Sequence, residues 1–150
     1  MNNIVRSNST NPDFISLVQQ LDIDLAKRDG NDHAFYHQFN SIQSLNHVVI
    51  VYDHEIAISC GAFKEVETGK VEIKRMYTSP AYRSKGYASI VLQSLEKWAT
   101  ELGYASCVLE TGKRQPEAIQ LYKKNGYTII PNYGQYVNVD NSICMEKSIA

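Results

Sequence analysis

The chain predicts an α/β fold of the α+β kind: a mixed, mostly antiparallel sheet with flanking helices. Three observations lead there. Residues 48–52, 56–66 and 71–78 are apolar or alternating runs joined by the turns Asp53-His54 and Glu67-Thr68-Gly69, the pattern of an antiparallel meander. After Gly86 the period becomes helical, with Ala88, Val91, Leu92, Leu95, Trp98, Ala99 and Leu102 on one stripe. A short apolar run at 105–109 follows, and a helix linking neighbouring strands makes them parallel in a right-handed crossover.

The remaining elements follow in order. Residues 4–7 read as a first strand. Asn11-Pro12-Asp13 opens a helix, with an Asn cap, Pro in the first turn and an acid near the positive end of the dipole. Phe14, Leu17, Val18, Leu21 and Leu25 keep helical spacing, and Gly30 is the expected stop. Residues 31–45, rich in His, Asn and aromatics, read as a short helix plus loop. Pro80 ends the meander and Gly103 closes the long helix. Residues 116–124 make another helix, with Ala118, Ile119, Leu121 and Tyr122 inward and Asn125-Gly126 as its cap. Residues 127–130 and 142–147 supply the last strands. With no repeat or linker, the 150 residues form a single domain. That length buries roughly 68–70% of the unfolded surface, enough for a core without disulfides or metal.

Composition narrows the class. Hydrophobic residues at 43% and charged residues at 21% fit a globular chain and argue against disorder. A formal net charge of −1 removes the basic excess that nucleic-acid binding normally requires. No apolar run approaches the ~18 residues of a membrane span, and the N-terminus lacks the apolar core of a signal peptide. Cys60, Cys107 and Cys144 are widely spaced, odd in number and set in apolar runs, as expected of buried thiols in a reducing cytoplasm. His33, His37, His47 and His54 have no Cys or carboxylate cluster to complete a metal site, so no metal is expected.

The segment Arg83-Ser84-Lys85-Gly86-Tyr87-Ala88 carries the most chemistry. It lies between a strand and the N-terminus of the long helix, where unpaired N–H groups and the helix dipole favour a phosphate. Gly86 lets an anion approach the backbone, and Arg83 and Lys85 add full charges. This segment fits the pyrophosphate signature Gln/Arg-x-x-Gly-x-Gly/Ala of the GNAT superfamily of acyl-CoA-dependent N-acetyltransferases. The strand at 71–78 stands where that family places its acetyl-CoA-binding strand. Gln115-Pro116-Glu117-Ala118-Ile119-Gln120-Leu121-Tyr122 resembles the family's Asn-x-x-Ala-x-x-Leu-Tyr helix, with Gln115 in place of the usual Asn. The chain therefore resembles a GNAT acetyltransferase, with the likeness best over residues 47–130. It is also similar to a common bacterial branch of the family through Leu109-Glu110-Thr111-Gly112 and Tyr133-Gly134-Gln135-Tyr136.

The resemblance implies a GNAT-like sheet whose central parallel strands, around Thr78 and Ala105, splay to admit acetyl-CoA. It implies acetyl transfer from that cosubstrate to a primary amine, small-molecule or protein, by direct attack in a ternary complex. Residues 83–88 would hold the pyrophosphate. Met76, Tyr77 and Thr78 would offer backbone groups to the pantetheine arm, the Met76 N–H serving as oxyanion donor. Gln115 would approach the cofactor, and Tyr122 would protonate the departing sulfur. An acceptor amine with a pKa of ~10.4 must lose a proton before it attacks. Glu72 is the candidate base; a solvated strand Glu paired with Lys74 or Lys70 is the alternative. Without a bulge, alternation places Glu72, Lys74, Met76 and Thr78 on one face. Glu110, at the end of the parallel strand, is a candidate for binding the amine or acting as a second base. Phe35, Tyr36, Tyr133 and Tyr136 fall in segments that line the family's acceptor pocket. A homodimer is the oligomer that relatives suggest. A non-catalytic acyl-CoA-binding regulator is the rival reading.

Overall fold

Strand alternation sends successive residues of the central strands to opposite faces, and both faces are covered. Among the described residues the strands are β1 (Asn2–Ser7), β2 (His47–Asp53), β3 (Ile56–Glu67), β4 (Lys70–Thr78), β5 (Ser106–Gly112), β6 (Thr128–Ile130) and β7 (Ser142–Ser148). They form one sheet in the order β1-β2-β3-β4-β5-β7-β6. Every neighbouring pair is antiparallel except β4 and β5, which run parallel. The helices are α1 (Pro12–Asp29), α2 (Tyr87–Glu101) and α3 (Pro116–Lys124). This computed structural model describes residues 2–29 and 44–150. Gly30, His33, Phe35, Tyr36, His37 and most of the helix and loop expected at 31–45 lie outside the described residues.

The unbroken apolar run of β2 is explained by burial on both sides. Val49 and Val51 pack with Val91, Leu92, Leu95 and Ala99 of α2, while Val48 and Ile50 pack with Phe14 and Leu17 of α1. Helix α1 begins as expected: Asn11 Oδ1 accepts the Asp13 N–H at 2.9 Å, satisfying an orphan donor of the first turn. All three cysteines are free and buried.

Some expectations need correction. Leu102 is 50% exposed, because the helix ends at Glu101 and its last turn passes the edge of the buried stripe. In α3 only Tyr122 is buried; Ala118, Ile119 and Leu121 are half-buried, and Ala118 and Leu121 border a cavity. Strand β5 continues past Leu109 to Gly112, sustained by antiparallel pairing with β7 along its length.

The splay is also placed differently. The parallel ladder joins only Lys70–Glu72 to Ser106–Val108, so the strands part beyond Glu72 and Val108 rather than around Thr78 and Ala105. The cause lies within β4. From Cys60 to Ala62 on β3 the partner strand advances from Tyr77 back to Lys74, three steps against two. Arg75 occupies that extra position with φ of 61°, a left-handed conformation that marks a β-bulge. The bulge reverses the alternation. Val71 and Ile73 belong to the core under α2, and Met76 packs against the same core. Tyr77 belongs to the core under α1, and Arg75 pairs with Asp22 of α1 at 3.6 Å. Met76 and Thr78 are thus out of phase with Glu72 and Lys74, and the four residues do not share one face.

Gly61 lets the bulge sit close to α2. A Cβ there would lie 2.5 Å from Met76 Sδ and 2.9 Å from both Leu95 Cδ1 and Val91 Cγ1.

Candidate active site

The parting of β4 and β5 opens a cavity of about 850 Å³, the size of a pocket for a substantial small molecule. One end is the loop before α2, where Ser84, Gly86, Tyr87, Ala88 and Ser89 form the wall. Gly86 caps the helix with φ of 89°, a conformation that costs a side-chain-bearing residue energy. The first intrahelical bond runs from the Ile90 N–H to the Gly86 carbonyl at 3.1 Å, so the amides of Tyr87, Ala88 and Ser89 precede the hydrogen-bonded ladder.

Arg83 also lines the cavity, but its side chain is already engaged. Nε donates to the Thr78 carbonyl at 2.8 Å and Nη2 pairs with Asp24 Oδ2 of α1 at 2.8 Å. The guanidinium sits 5.4 Å from the centre of the Tyr77 ring. Lys85 is exposed, with Nζ 5.7 Å from the Tyr82 ring centre, and is not part of the wall.

Met76, Tyr77 and Thr78 of β4 and Gln115 and Tyr122 of the α3 segment also line the cavity. The Thr78 hydroxyl is 2.8 Å from Ser59 Oγ, and its carbonyl is the acceptor for Arg83. Gln115 is the N-cap residue of α3. Tyr122, 7% exposed, meets the Tyr127 ring edge-on at 5.8 Å. Tyr127 is itself fixed by donating to Glu96 Oε2 at 2.8 Å, while Lys147 Nζ holds Glu96 Oε1 at 2.8 Å. Burial, with a smaller push from Glu110, raises the Tyr122 phenol above its ordinary value of ~10. It therefore stays protonated and able to donate at physiological pH.

At the far end the side chains are acids, cations and phenols. Glu72, 4% exposed, accepts from Tyr133 Oη at 2.5 Å, and Lys74 Nζ lies 3.4 Å from its other oxygen. Lys74 is therefore its partner, as one expectation had it, but the pair is buried rather than solvated. Lys70 instead pairs with Glu146 at 2.9 Å and Glu67 at 3.3 Å. Glu110 and Tyr136 line the cavity, and Ser142 Oγ donates to Glu110 Oε2 at 2.8 Å. Tyr133 stands behind Glu72 rather than on the wall. Burial raises the Tyr133 and Tyr136 phenols, and the charge of Glu72 adds to both.

The sequence reading missed Arg75, Asp24, Gly61 and Ser142. Nothing local marks Asp24, which is 59 residues from Arg83. Among the described residues no group of three His, Cys, Asp or Glu side chains is placed to hold a metal ion. No described helix is long and apolar enough to cross a membrane.

A profile of the acetyltransferase (GNAT) family matches residues 15–127. The chain belongs to the GNAT family of acetyltransferases. This GNAT chain is 37% identical over 92 residues to the uncharacterised N-acetyltransferase YsnE of Bacillus subtilis, covering 60% of the chain and 61% of the relative. It is 33% identical over 93 residues to the IAA acetyltransferase of Azospirillum brasilense, covering 61% of each. The chain thus spans about three-fifths of the length of these curated relatives. In fold it is similar to a Klebsiella pneumoniae protein provisionally assigned as an acyl-CoA N-acyltransferase, with a TM-score of 0.85 and 27% identity over 100% of this chain and 99% of that one. It also shares its fold with Salmonella typhimurium yncA, solved with acetyl-CoA, with a TM-score of 0.71 and 15% identity over 100% and 95% of the two chains.

Proposed function

We propose that this chain moves an acetyl group from acetyl-CoA to a primary amine, small-molecule or protein, by direct attack within a ternary complex. The supporting observation is the cavity that runs from the amides opening α2, between the parted β4 and β5, to Tyr122 and Glu72. The amides of the loop and first helical turn hold the diphosphate, an anion suited to a helix N-terminus. The exposed backbone of β4 beyond the bulge pairs with the amide-bearing pantetheine arm, and the Met76 N–H faces the charge that develops on the thioester oxygen.

Glu72 accepts the proton of the ammonium acceptor, directly or through one water. The freed nitrogen lone pair forms a bond to the acetyl carbon. The carbon–sulfur bond breaks, the sulfur takes the Tyr122 proton, and the extra proton on the newly acylated nitrogen is released, restoring the Tyr122 phenol. Glu110, held by Ser142, attracts the cationic acceptor. Three free, buried cysteines suit a cytoplasmic setting.

The test is thiol release from acetyl-CoA with a panel of spermidine, tyramine, glycinamide and a lysine-containing peptide. Release with at least one amine, and a matching N-acetyl product by mass spectrometry, supports the reading. Stoichiometric acetyl-CoA binding with no release across a wider amine panel contradicts it and favours a regulator that binds acyl-CoA without turnover.

A further inference from the structure

The Glu72 carboxylate is held by a residue 61 positions away. Tyr133 Oη donates to Oε2 at 2.5 Å, and Lys74 Nζ stands 3.4 Å from Oε1. Tyr133 is itself well fixed. Its ring meets Tyr136 edge-on at 5.7 Å. The turn carrying both rings is tied by the Asn132 side-chain amide, which donates to the carbonyls of Tyr136, Val139 and Ser142 at 3.2, 3.3 and 3.1 Å.

The charged and titratable groups around Glu72 come from several elements. Lys74 is on its own strand, and Arg75 at the bulge pairs with Asp22 of α1. Tyr133 and Tyr136 belong to the turn before β7, Cys144 to β7 and Glu110 to β5. Burial raises both phenols, and it raises the Cys144 thiol to about 11, so these three are neutral at physiological pH.

We propose that Tyr133 is a positioning residue for acetyl transfer: it fixes the Glu72 carboxylate through Oε2, while Lys74 Nζ stands at Oε1. The inference rests on Glu72 acting as the base. Tyr133 donates one hydrogen bond throughout and exchanges no bond. A hydrogen bond donated to a carboxylate favours its charged form, which is the form that accepts a proton.

The experiment compares wild type, Tyr133→Phe and Glu72→Gln across pH 5–10, using thiol release with the most active amine of the panel. Tyr133→Phe keeps the ring against Tyr136 and removes only the donor. The expected result is a kcat lowered roughly tenfold or more, from the worth of a hydrogen bond to a charged group. The KM for acetyl-CoA is expected to be unchanged. A wild-type kcat overturns the positioning role.

In the wild type, proton NMR should show the Tyr133 hydroxyl far downfield, moving upfield in Glu72→Gln. A hydroxyl signal at an ordinary position overturns the inference without any activity measurement. If Glu72→Gln retains the wild-type profile, the base assignment fails, and the proposal with it. If no amine supports release while the downfield proton is present, the enzymatic reading is what fails.

Discussion

At the α2 end the cavity wall is made by near-consecutive residues, Ser84 and 86–89, whereas at the acid–base end it draws on β4, β5 and the turn before β7. The first end is backbone: a left-handed Gly86 and the amides of an opening helix. The second is side chain, with Glu72, Lys74, Tyr133, Glu110 and Ser142 connected over separations of up to 61 residues. The end proposed to hold phosphate fits within six residues because the helix supplies the donors. The acid–base end needs the whole sheet to bring its parts together, so it depends on the bulge and on the register of distant strands.

Four predictions press on that contrast, from the largest expected effect to the smallest. Tyr122→Phe removes the proposed proton donor between the two ends. Turnover should fall by roughly 10²–10⁴-fold, the range for losing an acid or base. The acetyl-CoA dissociation constant, measured by calorimetry, should stay near that of the wild type. Because burial and Glu110 raise the Tyr122 phenol, its ionisation should cause no loss of activity below pH ~10. Unchanged turnover in Tyr122→Phe would remove the phenol from the mechanism.

Gly61→Ala tests the side-chain end through the bulge. Its Cβ would crowd Met76, Leu95 and Val91. Overpacking of this kind costs roughly 1–3 kcal/mol of stability, readable in a urea melt, and KM for acetyl-CoA should rise, because Met76 belongs to the stretch assigned to the pantetheine arm. An unchanged melt would deny that Gly61 is needed for the close approach of the bulge to α2.

Gly86→Ala tests the backbone end alone. Holding φ near 89° with a Cβ costs about 1–2 kcal/mol, so acetyl-CoA affinity should weaken roughly tenfold with kcat at saturation preserved. A loss of kcat without a loss of affinity would contradict the assignment of this loop.

The smallest effect lies away from both ends. His47 stacks on Phe63 at 4.7 Å and meets Trp98 edge-on at 4.8 Å. Burial lowers its pKa, so folding disfavours the charged ring. Its contribution to stability is fully present above the unfolded value of ~6.5 and is lost as pH falls toward the lower folded value. His47→Phe should flatten that part of the stability profile while leaving acetyl-CoA affinity unaltered.

The same contrast explains what could be read from the residues. The meander, α2 and the left-handed Gly86 that opens it were legible because period, turn residues and glycine position are local signals. Arg83 was expected to grip phosphate, yet it is clasped by Asp24 and the Thr78 carbonyl, contacts that depend on how α1 docks. The shared face of Glu72, Lys74, Met76 and Thr78 failed at Arg75. A left-handed Arg is uncommon and has no sequence mark. Tyr133 was placed among pocket-lining aromatics, and only the antiparallel return of β7 beside β5 brings its hydroxyl to Glu72.

The account centres on acetyl-CoA lying across the parted strands with its diphosphate on the amides that open α2. The most direct measurement is a structure of the protein crystallised with acetyl-CoA. The account predicts diphosphate oxygens within hydrogen-bonding distance of backbone N–H groups at 84–88 and the thioester sulfur beside the Tyr122 hydroxyl. Acetyl-CoA bound elsewhere, or in the cavity with its sulfur remote from Tyr122, would contradict it.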